Sequence, residues 1–148
     1  MKKITLIFSV IFLVGCSDES ENIDSQSIDK NETFNWRLVT SWPKNYPGLG
    51  MAPERIADLV EEMSDGQMKI TVYGAEEQVP AFGVFDAVSS GSHQMGHSGG
   101  YFWKGKVPAA QFFTSVPFGL TADEINAWVN RGGGLELWRE IYAPFNIY

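Results

Sequence analysis

Thiol chemistry is almost absent from this 148-residue chain, which holds a single cysteine, Cys16. A lone cysteine excludes an intrachain disulfide. Histidine is nearly as scarce, with only His93 and His97. Positive charge is in deficit: 11 Lys and Arg face 18 Asp and Glu, a formal net charge of −7. No basic face is available for a phosphate backbone, so nucleic acid is excluded as the expected partner. Long apolar runs are missing too. The run from Ile4 to Val14 covers 11 residues, against the roughly 20 that a membrane-spanning helix needs.

What is present begins at the N-terminus. Lys2 and Lys3 precede that short apolar run, and Gly15 then Cys16 follow it. Positive start, apolar middle, small residue and cysteine in that order describe a lipoprotein signal peptide over residues 1–15. Cys16 becomes the lipidated N-terminus, and the protein is exported and held at a membrane surface. The competing reading is an uncleaved short anchor with an incidental cysteine. Residues 16–33 carry six acids (Asp18, Glu19, Glu21, Asp24, Asp29 and Glu32) against Lys30, with no aromatic residue. Such a segment cannot bury enough apolar surface to offset its ordering entropy, and is expected to be a disordered acidic tether.

Residues 34–148 are long enough for one modest domain. All five tryptophans fall there, and its 12 acids and 8 bases leave a net charge of −4. Phe34 to Trp42 reads as a strand closed by Pro43. A helix follows with Pro53 in its first turn, its buried stripe expected at Ile56, Leu59, Val60 and Met63. Met68 to Tyr73 returns as a strand. Pro80 to Ser90 reads as a helix with Phe82, Phe85 and Val88 or Ala81 inward. Gln94 to His97 is a short strand, and Phe112 to Val116 a fourth apolar stretch. Thr121 and Glu124 form a capping box for the next helix. Gly132 to Gly134 separates that helix from another over Leu135 to Tyr142. Short alternating strands and helices predict an α/β fold with a mostly parallel sheet. The closing Phe145-Asn146-Ile147-Tyr148 is apolar and strand-like, so the fold is expected to be incomplete.

Two catalytic or metal constellations fail on geometry. His93 and His97 on an extended segment stand about 13 Å apart, too far to share a metal. His97 and Ser98, as neighbours on a strand, point to opposite faces, which disfavours a base–nucleophile pair. An exported small hydrolase using His97 and Ser98 is therefore the alternative. In open α/β sheets, ligands sit beyond the carboxyl ends of the strands. Ser41-Trp42-Pro43 and Ser98 to Trp103 occupy such ends, with aromatic rings, hydroxyls and loop amides suited to a small polar ligand with an apolar body. An aromatic plug of the core is the competing reading.

At these residues the chain resembles the substrate-binding subunits of tripartite ATP-independent periplasmic (TRAP) transporters of the DctP type, closest to the 2-oxo acid (pyruvate-type) branch. The resemblance is carried by Trp36-Arg37-Leu38-Val39-Thr40-Ser41-Trp42-Pro43, by Glu77-Gln78-Val79-Pro80-Ala81-Phe82 and by Phe85 to Gly91. It continues in Gly96-His97-Ser98, Tyr101-Phe102-Trp103-Lys104-Gly105-Lys106, Val116-Pro117-Phe118-Gly119-Leu120, and Trp128 with Gly132-Gly133-Gly134. It implies the N-terminal lobe of a two-lobed, type II-like periplasmic clamp, incomplete here, which binds an organic acid anion and catalyses nothing. The partners implied are the anion, the TRAP membrane permease subunits and, through Cys16, a membrane. No cofactor is expected, and no metal within these residues; a sodium ion beside the ligand is implied for the longer protein. Substrate contacts are expected from Tyr101 first, then Trp42, Trp103 and Ser41. The family's carboxylate-anchoring arginine lies in the later half of its members, while Arg37, Arg55, Arg131 and Arg139 are otherwise placed on a strand and helices. A ligand-sensing surface lipoprotein coupled to no permease is the other reading kept.

Overall fold

The computed structural model describes residues 32–114 and 116–148. The signal peptide, Cys16 and nearly all of the tether lie outside the described residues. Three parallel strands form the sheet: β1 (Phe34–Thr40), β2 (Met68–Tyr73) and β3 (Met95–His97), in the spatial order β2-β1-β3. Phe34 pairs with Met68 and Val39 with Tyr73 on one side, while Leu38 pairs with Met95 and Thr40 with His97 on the other.

Alternation along β1 sends neighbouring side chains to opposite faces. Leu38 packs with Ile70, Val72 and Ala57 of α1 (Met51–Met63), whereas Val39 packs with Val84 and Ala87 of α2 (Val84–Ser89). A third apolar cluster joins Phe85, Val107, Ala110 and Tyr142, with Trp103 and Trp138 against it. It ties α2 to two 3₁₀ turns, Gly100–Trp103 and Pro108–Phe113, and to α4 (Gly134–Tyr142). Between them runs α3 (Ala122–Arg131), opened by Thr121: its hydroxyl accepts from the Glu124 amide while the Glu124 carboxylate accepts from the Thr121 N–H. The tight α3–α4 corner needs glycine twice. Gly133 sits at φ 85°, and a side chain on Gly134 would meet Val129 Cα at 2.8 Å.

Five local expectations differ, the first at the closing residues, where Phe145 ends a 3₁₀ turn (Ala143–Phe145) and Asn146 sits at φ 55°, so no strand forms there. β1 stops at Thr40, because the Trp42 amide turns back to the Thr40 hydroxyl at 3.3 Å. The stripe that α1 buries is Pro53, Ala57 and partly Val60, while Ile56, Leu59 and Met63 are exposed. The sheet accepts the face with the smallest side chains, and the bulkier one is rotated roughly 90° away. The second helix is shorter than expected. Pro80 to Gly83 is a turn closed by the Gly83 amide on the Pro80 carbonyl at 2.8 Å, which leaves Phe82 outside the helix and exposed. Finally, Phe112 and Phe113 lie in a 3₁₀ turn begun by Pro108, not in extended chain.

Candidate functional site

The strand order points to a candidate site. The chain leaves β1 toward β2 on one side and returns through α2 to β3 on the other, so the sheet's winding reverses between β1 and β3. In such sheets the crevice at the reversal point, beyond the carboxyl ends, is where ligands bind. Here those ends are Thr40-Ser41-Trp42 and His97-Ser98-Gly99, held together by the Ser41 amide on the His97 carbonyl at 3.1 Å.

The hydroxyls at this crest are interlocked. Ser41 donates its proton to the Ala81 carbonyl at 2.6 Å, so the 2.5 Å contact with Ser98 has Ser98 as donor. The His97 Nδ1 lies 3.1 Å from the Thr40 hydroxyl. His97 and Ser98 thus have separate partners, and no base–nucleophile pair is assembled. Above them is an aromatic wall. The Trp42 ring lies 5.0 Å from His97 and 6.2 Å from Phe102. Phe102 in turn lies 5.0 Å from Phe82 and 4.5 Å from Tyr101. Gly99 makes this packing fit, since a Cβ there would fall 2.5 Å from the Tyr101 ring.

The four expected contact residues divide into two groups. Trp42 and Tyr101 belong to the wall, and Tyr101 is 44% exposed. Ser41 is buried beneath it, with its hydroxyl engaged. Trp103 points away into the third cluster: its indole N–H donates to the Tyr142 hydroxyl at 2.8 Å and its ring lies 5.4 Å from Phe85. Thr40 and Phe82 join the crest without having been singled out. A run of hydroxyl residues at a strand's end, Thr40-Ser41, was the available signal for the first. Phe82 was hidden by its assignment to a helix.

Lys104, which follows Trp103, is exposed and has no ion pair among the described residues. Lys44 pairs with Glu77 at 3.1 Å, and Lys106 pairs with Asp86. Arg37 donates to the Ser92 carbonyl and the Arg139 guanidinium lies 4.9 Å from the Tyr148 ring. Arg55 and Arg131 are exposed on α1 and α3. Among the described residues no hydrogen bond or ion pair joins an arginine to the crest. Nor do three His, Cys, Asp or Glu side chains converge on one point, so these residues do not fit a metal cage.

Both histidines are held neutral. Burial lowers the pKa of His97, and burial, then the Arg37 charge, lowers that of His93. The folded state therefore refuses protons that the unfolded chain accepts below about pH 6.5. The histidine contribution to stability is complete above that value and is lost as pH falls toward the depressed folded values. Urea midpoints should decline between about pH 7 and 5, and the decline should shrink in His97→Gln. An unaltered slope in that variant would exclude His97 as a proton sink.

A parallel α/β lobe, reversed at β1/β3 and crested by aromatic rings and hydroxyls, defines a ligand-binding lobe of the clamp class. The family described as bacterial extracellular solute-binding protein, family 7 (DctP), matches residues 38–148, and the chain belongs to it. A monocarboxylate 2-oxoacid-binding periplasmic protein of Nostoc is 47% identical over 112 residues, covering 76% of this chain and 30% of that protein. A TRAP periplasmic solute-binding protein of Pseudoalteromonas atlantica, solved with bound sodium and pyruvate, is 46% identical with a TM-score of 0.75. It aligns over 77% of this chain and 35% of its own. A Bordetella bronchiseptica TRAP solute-binding protein, solved with calcium and picolinate, is 37% identical with a TM-score of 0.76, over 79% of this chain and 35% of its own. The chain thus spans about a third of the length of these relatives.

Proposed function

We propose that this chain forms the first lobe of the extracytoplasmic solute-binding subunit of a TRAP transporter, which captures a 2-oxo acid or related monocarboxylate for sodium-driven uptake. The observation that carries the reading is the crest itself. Tyr101 offers a partly exposed ring against Phe102, which in turn lies against Trp42 at the end of β1. A flat apolar wall with one hydroxyl donor suits a small acid that has an apolar body and a polar head. The protein's role is binding: its named relatives are binding proteins, and His97 and Ser98 serve different partners.

Tyr101 donates to a ligand oxygen, with Trp42 as a wall; Ser41 and Trp103 hold the two loops that carry them. The sodium ion belongs to the completed clamp, with ligands outside this lobe. Tyr101→Phe deletes one hydrogen bond to an anion, worth about 1.5–3 kcal/mol. In the protein lengthened past Tyr148 with the remaining sequence of the Nostoc relative, calorimetry should show pyruvate affinity falling about 10–100-fold. Affinity unchanged by the substitution would remove Tyr101 from the site.

The location is periplasmic, with residues 1–15 cleaved and Cys16 lipidated so that the acidic tether holds the lobe near its permease. Cys16→Ala should shift the protein from the membrane to the soluble fraction after export. An unchanged membrane fraction would contradict the anchor.

A further inference from the structure

The hydroxyl protons at the crest all turn inward. Thr40 is 1% exposed, and its oxygen accepts the Trp42 amide at 3.3 Å. Among the described residues the one acceptor within reach of its proton is His97 Nδ1, at 3.1 Å. Were Nδ1 the donor instead, a buried hydroxyl proton would go unbonded, which is costly. Thr40 therefore donates, and the neutral ring carries its own proton on Nε2. Burial lowers the pKa of His97, so the ring stays neutral at neutral pH. Ser41 and Ser98 likewise spend their protons inside the lobe, on the Ala81 carbonyl and on the Ser41 oxygen.

Two ring N–H groups are left facing outward. Among the described residues, no hydrogen bond engages His97 Nε2 or the Trp42 indole nitrogen. Neither is a buried orphan, since His93 Nε2 is the buried side-chain atom without a partner there. Both nitrogens therefore open to solvent. Their rings lie 5.0 Å apart at the ends of β3 and β1, so they form one patch. An indole N–H and a protonated Nε2 can donate and cannot accept. The patch asks its ligand for oxygen lone pairs.

We propose that His97 is a specificity-determining residue of the crest: held by Thr40 as its Nε2–H tautomer, it donates, beside the Trp42 indole N–H, to an acceptor oxygen of the ligand and turns away ligands that carry an ammonium in that place. This rests on the crest being the ligand site and adds what the site distinguishes. The oxo and carboxylate oxygens of a 2-oxo acid only accept, and they match a donor-only patch. A 2-amino acid of the same skeleton sets N–H against N–H and leaves the crest's donors unpaired. Sites built to hydrogen-bond one group discriminate strongly against an analogue that leaves them unpaired.

NMR of the 148-residue chain at neutral pH reads the tautomer and the contact together. Without ligand, ¹⁵N shifts should place the His97 proton on Nε2, with Nδ1 a bare acceptor. Excess pyruvate should shift His97 Nε2, the Trp42 indole and the Tyr101 ring together. L-alanine at equal concentration keeps the carboxylate and the methyl group, and should leave His97 in place. His97→Asn keeps an oxygen for the Thr40 hydroxyl but loses the outer N–H, so its pyruvate dissociation constant should rise about 10-fold. A proton on Nδ1, or Tyr101 and Trp42 answering pyruvate while His97 stays still, overturns the proposal and leaves the crest as the ligand site. An unchanged dissociation constant in His97→Asn does the same, and so does L-alanine moving all three residues as pyruvate does. If the variant does not fold, the titrations of the unaltered chain decide. If none of the three residues answers pyruvate, the crest is not the site and both readings fall.

Discussion

Tyr142→Ala should remove about 3–5 kcal/mol of stability, the loss typical when a large buried ring is deleted and its cavity stays open. Tyr142 is 1% exposed and stands at the centre of the third cluster. Its ring lies 4.6 Å from Trp138 and 6.4 Å from Trp103, and its hydroxyl accepts the Trp103 indole proton. These contacts join α4 to the turn that follows the crest, so one residue links the C-terminal helix to the loop carrying Tyr101 and Phe102. Against the 5–15 kcal/mol that holds an ordinary domain together, such a loss is a large fraction. Urea unfolding followed by tryptophan fluorescence should show a sharply lower midpoint at an unchanged slope. Tyr142→Phe separates the two contributions. It keeps the ring but strands a part-buried N–H, at about 1–3 kcal/mol. A loss under about 1 kcal/mol in the alanine variant would show that α4 does not depend on this residue.

The second large effect concerns the ligand. A micromolar dissociation constant corresponds to about −8.2 kcal/mol. The crest offers an anion one exposed phenol, loop amides and an aromatic wall; Lys44 and Lys106 are paired, and Lys104 is exposed at the end of the Gly100–Trp103 turn. What it lacks among the described residues is a free guanidinium. A planar guanidinium matches both carboxylate oxygens at once, and charge-assisted hydrogen bonds are roughly twice as strong as neutral ones. Without that fork, and without a second wall to exclude water, about 4 kcal/mol of binding is forgone, which is about 1,000-fold in affinity. The 148-residue chain should therefore bind pyruvate no better than millimolar.

Much of the fold was legible because several segments speak with one voice. β2, α3 and α4 have boundaries set by strong local signals: a β-branched run, a capping box and a glycine triplet. The parallel sheet followed from the alternation of elements. The order β2-β1-β3, on which the candidate site rests, did not, because pairing partners are chosen by packing of the whole lobe rather than by any one strand. The buried face of α1 was misread for a related reason. Its apolar residues cover two stripes, and only contact with the sheet decides that Ala57 goes in while Met63 stays out. At the crest, Trp42 and Tyr101 were identifiable from their position after strand ends. Trp103 is adjacent in sequence yet turns into the core, because the 3₁₀ turn of Gly100–Trp103 sends its successive side chains in different directions.

The central claim is that this lobe is one jaw of a clamp for a small carboxylate, and that tight capture needs the other jaw. Titration calorimetry with pyruvate in sodium buffer, run on the 148-residue chain and on the protein lengthened with the Nostoc sequence, tests it most directly. The account predicts micromolar affinity for the lengthened protein and millimolar or weaker binding for the short chain. Micromolar binding by the short chain alone would contradict it.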